Sequence, residues 1–415
     1  MKRNGRRVIF LSVAVMAAGA SLGMVGCNET PRAARNAFAD YQVGQYAAAA
    51  AQFRPLAQKK DENYVLNNCR LGSADLAARN LDEAQQAFMN AYNVLNATGV
   101  NDPGRQLGAA VVWEGVKVWK GEPFEQAMAH YYLGMIFLLK GDYENARAAF
   151  ENSLFKVHEY AGKDDYEHYQ MVESNFALGY FGLGFCYLRM HQPDKAQANF
   201  ARAVQINPAL ATLVSQAQQP GVNTLIFVDD GRGPRKAAKG WYDEQSVFGP
   251  TPAEAGPIPP INAFADGHVI TSPQILYSTV DTLAMAQERR WQDIDTLREA
   301  KAIFGTGAMA AGAGMTAYGA DRGNRDLEWA GLGTMAVGAL VAASSHADTR
   351  AWGMLPRTVY IIPVNVAPGP HVFAVQGGDG AQSAPLQTTI PTFDPAHPRD
   401  NVFYFRLLPP RPARM

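Results

Sequence analysis

A small residue paired with an aromatic recurs four times in the first half of this chain. That recurrence restricts the fold more than any other feature. The first stretch has Gly44, Tyr46, Ala49 and Phe53, and the second has Leu71-Gly72, Leu81, Ala84, Phe88 and Ala91. The third has Leu133-Gly134, Phe137, Gly141, Tyr143, Ala146 and Phe150. The fourth has Leu183-Gly184, Tyr187, Ala196, Phe200, Ala203 and Pro208. Two helices that cross closely leave room only for small side chains, so Gly134 and Ala146 mark such a crossing. Phe150 and Phe200 then fill the gap to the next helix. Gly141-Asp142-Tyr143 supplies the turn with Asp142 as a cap, and Pro208 closes the last helix. One match arises by chance in any amphipathic helix. Four in order predict stacked helical hairpins over residues 33–215.

These hairpins resemble tetratricopeptide repeats. The intervals between Ala49, Ala84, Ala146 and Ala196 are 35, 62 and 50 residues, against the family period of 34. The array is therefore interrupted by two inserts. Asn96 to Pro123 carries Trp113 and Trp119, and Lys156 to Glu173 is rich in acids and tyrosine. His158 and His168 flank Asp164, Asp165 and Glu167 in the second insert, but their spacing matches no metal site and reads as a solvated acidic loop. The resemblance implies that the first helix of each repeat lines a concave face that binds a partner. Carried onto this chain, the partner-binding residues are Met128, Tyr131, Met135 and Leu138 in the third repeat. In the fourth they are Leu178, Phe181, Phe185 and Arg189. Such a groove is strongly apolar and needs cover. Either another part of the chain fills it, the proline-rich stretch 248–260 being a candidate, or an apolar partner does.

The N-terminus speaks to compartment. Lys2, Arg3, Arg6 and Arg7 precede an apolar run, Val8 to Val25, that ends at Gly26-Cys27. This reads as a secretory signal over residues 1–27, too short for a spanning helix. Met24-Val25-Gly26-Cys27 resembles the bacterial lipoprotein signal, which implies lipidation (palmitate among the acyl chains) at Cys27. Asn28 in the following position implies an outer-membrane address facing the periplasm. Loss of the four signal charges leaves 33 bases against 38 acids, a net charge of −5. That balance gives no electrostatic reason to expect nucleic acid. Cys69 and Cys186 lie in helices of non-adjacent repeats and are expected as two separate buried thiols, neither a disulfide nor a metal site.

Beyond Pro220 the pattern changes. Thr224 to Val228 reads as a buried strand running into the turn-rich loop Asp229 to Lys236. The loop lacks phosphate-cradle spacing, and Pro234 removes an amide donor. Asp229-Asp230 invites a metal reading, but neighbours on a strand point to opposite faces. Residues 216–300 form a strand, a proline-rich connector with a short strand at Val269-Ile270, and an amphipathic helix from Ser278 to Ile303. Residues 301–347 form a glycine/alanine-rich helical hairpin with arms Phe304–Ala320 and Trp329–Ser345. Gly307 and Gly314 on one arm and Gly331 and Gly338 on the other give it glycine-zipper character, a backbone-to-backbone device common in membranes. Residues 348–415 form a β segment of strands at 358–366, 371–376, 387–390 and 402–408 that pairs with strand 224–228. The expected class is α+β: an N-terminal repeat solenoid followed by a small sheet or sandwich carrying the hairpin.

Three groups of residues together resemble a family of uncharacterised bacterial tetratricopeptide-repeat lipoproteins. They are Lys120 to Glu125 with Gly141 to Arg147, Phe227 to Lys236, and Leu355-Pro356 through His371. The family has no established activity, so the resemblance implies architecture more than mechanism. No HExxH, GxSxG, CxxC or Walker-type loop is present. A non-enzymatic scaffold without cofactor or metal, lipid-anchored and binding protein partners of the envelope, is the expected function. The alternative is a membrane-active or pore-forming homo-oligomer built on residues 304–345.

Overall fold

The structure, a computed structural model, describes residues 32–96, 118–158, 176–239, 245–250, 256–272, 277–287, 308–343, 349–392 and 400–410. Cys27, Trp113, His168 and the acidic residues between 159 and 175 lie outside them. The chain is α+β, with helical repeats followed by a strand-rich half. Helices pair as α1 (Arg32–Tyr41) with α2 (Tyr46–Ala57) and α3 (Tyr64–Ala77) with α4 (Leu81–Leu95). Then α5 (Pro123–Leu139) pairs with α6 (Tyr143–His158), and α7 (Ala177–Arg189) with α8 (Pro193–Ile206). A short helix α9 (Ala211–Ala217) follows the turn at Pro208.

The small–aromatic pairing is the packing rule of these hairpins. A methyl added to Gly72 would stand 2.6 Å from the Phe88 ring, one on Gly134 2.8 Å from Phe150, and one on Gly184 2.7 Å from Phe200. Phe150 also presses on Gly182 of the next repeat at 2.8 Å. It thus bridges consecutive hairpins, as the spacing predicts. Asp142 accepts a hydrogen bond from the Asn145 amide and caps α6. Both Cys69 and Cys186 are buried free thiols, and burial raises the pKa of each.

All four hairpin turns use one device. The residue nine before each phenylalanine has positive φ: Gly44 (81°), Arg79 (67°), Gly141 (73°) and His191 (57°). The next amide reaches back five residues in each case, as from Asp142 to the Phe137 carbonyl at 2.8 Å and from Gln192 to Tyr187 at 2.9 Å. This left-handed cap satisfies helix-end carbonyls, and glycine is its natural occupant. His191 is exposed and bears the left-handed strain of an L side chain. His191→Gly is expected to stabilise the chain by roughly 0.5–1 kcal/mol, the relief of strain partly offset by glycine's looser unfolded state. A urea titration that shows no gain would refute this account of the turn.

The described strands form three sheets. One has the order β10 (Asn401–Leu407), β1 (Thr224–Asp230), β7 (Thr358–Val364), β6 (Ser278–Asp281). In it β1 runs parallel to β10 and antiparallel to β7. As the interior strand, β1 is buried along its whole length, which is why it reads as a continuous apolar run. The second sheet is antiparallel, β5 (His268–Val269), β4 (Ile261–Ala265), β8 (Gly369–Gly377), β9 (Leu386–Ile390). Phe373 of β8 meets Phe403 of β10, with ring centroids 5.0 Å apart. The third is the ribbon of β2 (Arg235–Lys239) and β3 (Gln245–Gly249).

Two sequence expectations need correction. Ser278 does not begin a long helix. Residues 278–281 are strand β6, and Asp281 then caps the short helix α10 (Thr282–Ala286) through the Leu283 and Ala284 amides. β-Branched Thr279 and Val280 favour the strand, where Thr279 donates to the Val359 carbonyl. Residues 288–307 lie outside the described set. In the glycine hairpin the register differs. Gly312 and Gly319, not Gly314, face the second arm, α11 (Arg325–Ala343). A methyl on Gly312 would meet the Met335 amide nitrogen at 2.5 Å, one on Gly319 the Glu328 nitrogen at 2.6 Å, and one on Gly331 the Thr316 nitrogen at 2.5 Å. Gly314 faces open space. The arms are so rich in glycine and alanine that composition does not single out the contact stripe.

The chain divides into two compact units. One comprises the repeats with the two four-stranded sheets, the other the ribbon residues 236–248 and the hairpin. In the hairpin unit Lys236 lies over the Phe248 ring at 5.5 Å, and Trp329, Tyr318 and Val337 are exposed on the helices. Among the described residues no helix is long and apolar enough to cross a membrane.

Candidate functional site

Within the larger unit the repeats close around the chain's own C-terminal half. Helices α3 and α5 pack on β10, and α7 packs on β6. The segment after residue 349 is held just as tightly. Trp352 is buried, its ring 5.7 Å from Phe88 and 5.6 Å from Tyr132. Its indole N–H donates to the Ser73 hydroxyl at 3.0 Å, and its amide donates to the Glu125 carboxylate at 2.7 Å. Glu125 uses its other oxygen to accept the Glu122 amide in the capping box of α5. Arg70 donates to the Ala351 carbonyl, and Trp119 Nε1 donates to that of Arg350. The groove is therefore filled from residues 350–357, β1 and β10; of the proline-rich stretch 248–260, residues 251–255 lie outside the described set.

A second node is polar and buried. Asp229 Oδ2 accepts from the Tyr132 hydroxyl and from the Tyr404 hydroxyl at 2.8 Å. Arg406 donates to the Tyr41 hydroxyl at 3.0 Å, the Asp229 carbonyl at 3.1 Å and the Gly231 carbonyl at 2.7 Å. Burial raises Asp229 to about 6, against the pull of Arg406 and the two phenols. The strand continues straight through Asp229 and Asp230, so the two carboxylates do not converge. Among the described residues no cluster of three or more His, Cys, Asp or Glu could hold a metal.

At the far end Asp400 accepts from Arg189 Nε at 2.6 Å and from the Tyr143 hydroxyl at 2.9 Å. Arg189 also donates to the Val222 carbonyl. The loop after β1 is spent on packing: Arg232 donates to Gln42 and to the Pro409 carbonyl. Gly233 lies so close to Leu355 that an added methyl would meet its carbonyl oxygen at 2.7 Å.

Of the residues assigned to the groove from sequence, Met128, Tyr131, Met135, Leu138, Leu178, Phe181 and Phe185 are all buried. Several pack between helices: Tyr131 lies 5.7 Å from Phe150, and Phe181 5.6 Å from Phe200. Arg189 stays half-buried between Asp400 and the Phe185 ring. Arg189 thus touches the C-terminal half, as do Tyr41, Arg70, Ser73, Phe88, Glu125 and Tyr132, which sequence did not assign to the groove. The Glu122–Glu125 spacing of a capping box at the start of α5 is the sequence signal for Glu125. Nothing in sequence marked Tyr132 over its neighbour Tyr131.

Residues 177–210 and 128–154 match tetratricopeptide-repeat models. The chain carries these repeats, and the geometry extends the same hairpin rule to the first two. No curated protein matches it. Among solved structures it is similar to two described as "Crystal structure of MamA" and "Crystal structure of MamA protein". Each is 15% identical with a TM-score of 0.30; they cover 51% and 48% of this chain and 98% and 83% of their own.

Proposed function

We propose that this chain is a non-enzymatic scaffold of the bacterial envelope, tethered to the outer membrane by lipid at Cys27 and facing the periplasm. The observation that supports it most is the repeat array itself, an architecture that serves protein interaction and carries no chemistry of its own. In this reading the repeats hold β1, β10 and residues 350–357 as a built-in occupant. A protein partner reaches Met128, Tyr131, Met135, Leu138, Leu178, Phe181, Phe185 or Arg189 only where those strands give way. A second reading, a membrane-active assembly of the glycine hairpin, is supported by the exposure of Trp329, which keeps 69% of its surface in water. The test is fractionation of cells expressing Cys27→Ser, with crosslinking and mass spectrometry on the wild-type chain. The scaffold reading expects the variant to leave the membrane fraction and the wild-type chain to crosslink to envelope proteins. A variant that stays in membranes without a tether would favour the hairpin reading. A wild-type chain with no reproducible protein crosslinks would sink the scaffold.

A further inference from the structure

The Asp229 carboxyl sits between the repeats and the sheet with its two oxygens treated unequally. One accepts two phenolic hydroxyls, Tyr132 from α5 and Tyr404 from β10. The other, Oδ1, is buried with no hydrogen-bond partner. The residue is 1% exposed. An ionised carboxylate taken out of water wants several donors, and an acceptor left bare in the interior is costly. We propose that Asp229 is a proton-operated latch: protonated, it lets the repeats close on β1 and β10, and ionised, it loosens that grip. The latch regulates access to the groove described above, but its operation does not rest on any partner using that groove.

The surroundings fit this role. The charged and titratable groups facing Asp229 are Tyr41 from α1, Tyr46 from α2, Tyr131 and Tyr132 from α5, and Tyr404 and Arg406 from β10, with Asp230 next in the strand. Burial pushes every one of these phenols above its usual range, and Arg406 stays charged. Asp229 is thus the group in this cluster resolved to titrate in a biological window. Its folded value, about 6, exceeds its ordinary 3.8. A raised carboxyl contributes stability that is fully present below the ordinary value and is lost as pH rises through the folded one.

Hydrogen exchange of the full chain, corrected for the intrinsic pH dependence of exchange, tests the latch. Peptides covering 224–230 and 401–407 are read against the outer helices α6 and α8. Opening of the strand peptides in wild type, divided by that in Asp229→Asn, should rise roughly 25-fold between pH 4.5 and 7.5, the division cancelling the titration of His130 that both chains share. Tyr404→Phe removes a donor to the ionised form, so its transition midpoint should move to higher pH. Equal pH dependence in wild type and Asp229→Asn, or a Tyr404→Phe midpoint that does not move, overturns the proposal. The tyrosine variant alone decides the question if Asp229→Asn does not fold.

Discussion

Trp352→Ala will destabilise the larger unit by about 3–5 kcal/mol, the cost of emptying a fully buried aromatic site. The indole is wedged between Phe88 and Tyr132 and donates to Ser73, so no neighbour can collapse into the space without breaking another contact. Substitution also leaves the buried Ser73 hydroxyl without its indole donor. The Trp352 amide to Glu125 survives, because alanine keeps the backbone donor. The diagnostic quantity is the urea midpoint followed by two probes, helical circular dichroism and exchange at β10. Both should shift together if the repeats and the sheet are one cooperative body. A variant that loses protection at β10 while the helices melt unchanged would show that the repeats stand alone, and would contradict the closed groove.

Acidification of the wild-type chain exposes a second weakness, at His130. Its imidazole is 1% exposed, both ring nitrogens lack hydrogen-bond partners, and Tyr92 abuts it edge-on at 4.9 Å. Burial, followed by the nearby Lys156 ammonium, lowers His130 to about 3. The folded chain therefore keeps it neutral. A lowered base contributes stability that is present above the ordinary value of 6.5 and is lost as pH falls toward the folded one. Each pH unit in that window costs about 1.4 kcal/mol, so the full interval is worth several kcal/mol. Asp229 acts oppositely between about 6 and 3.8, which would mask the His130 slope in a single wild-type profile. The difference between wild type and His130→Phe isolates it. The variant should gain steadily on wild type as pH falls from 6.5, and parallel profiles would show that the imidazole finds a partner for its proton.

Several elements were legible in the sequence because their cause is local. Gly72, Gly134 and Gly184 announce close helix crossings, since the ring that fills each crossing lies in the next helix of the same hairpin. The left-handed turns at Gly44 and Gly141 follow from the one residue type that adopts them freely, whereas Arg79 and His191 do the same job unannounced. Strand β1 was visible because an interior strand has no wet face and needs no alternation. Ser278 to Asp281 carries no legible strand signal, because four residues are too few for a period to show, and pairing with β7 sets their conformation. The hairpin register slipped because glycine and alanine occupy both faces of each arm.

The groove residues divide in the same way. Side-chain type alone marked Met128, Tyr131 and Phe181 as apolar and therefore in need of cover, and they are buried. What covers them, and which neighbours face the sheet, is a matter of contacts between residues 97 to 365 positions apart. Tyr132 meets Asp229, Tyr41 meets Arg406, and Ser73 meets Trp352. By itself the sequence determined the repeat hairpins, their turns and the apolar strands, because helix crossings and strand burial are set by neighbours in the chain. That the repeats close on the chain's own C-terminal strands emerges from the folded contacts alone. That choice depends on matching a buried carboxylate, an arginine and an indole to partners on distant helices, and chain order carries no record of which distant surfaces meet.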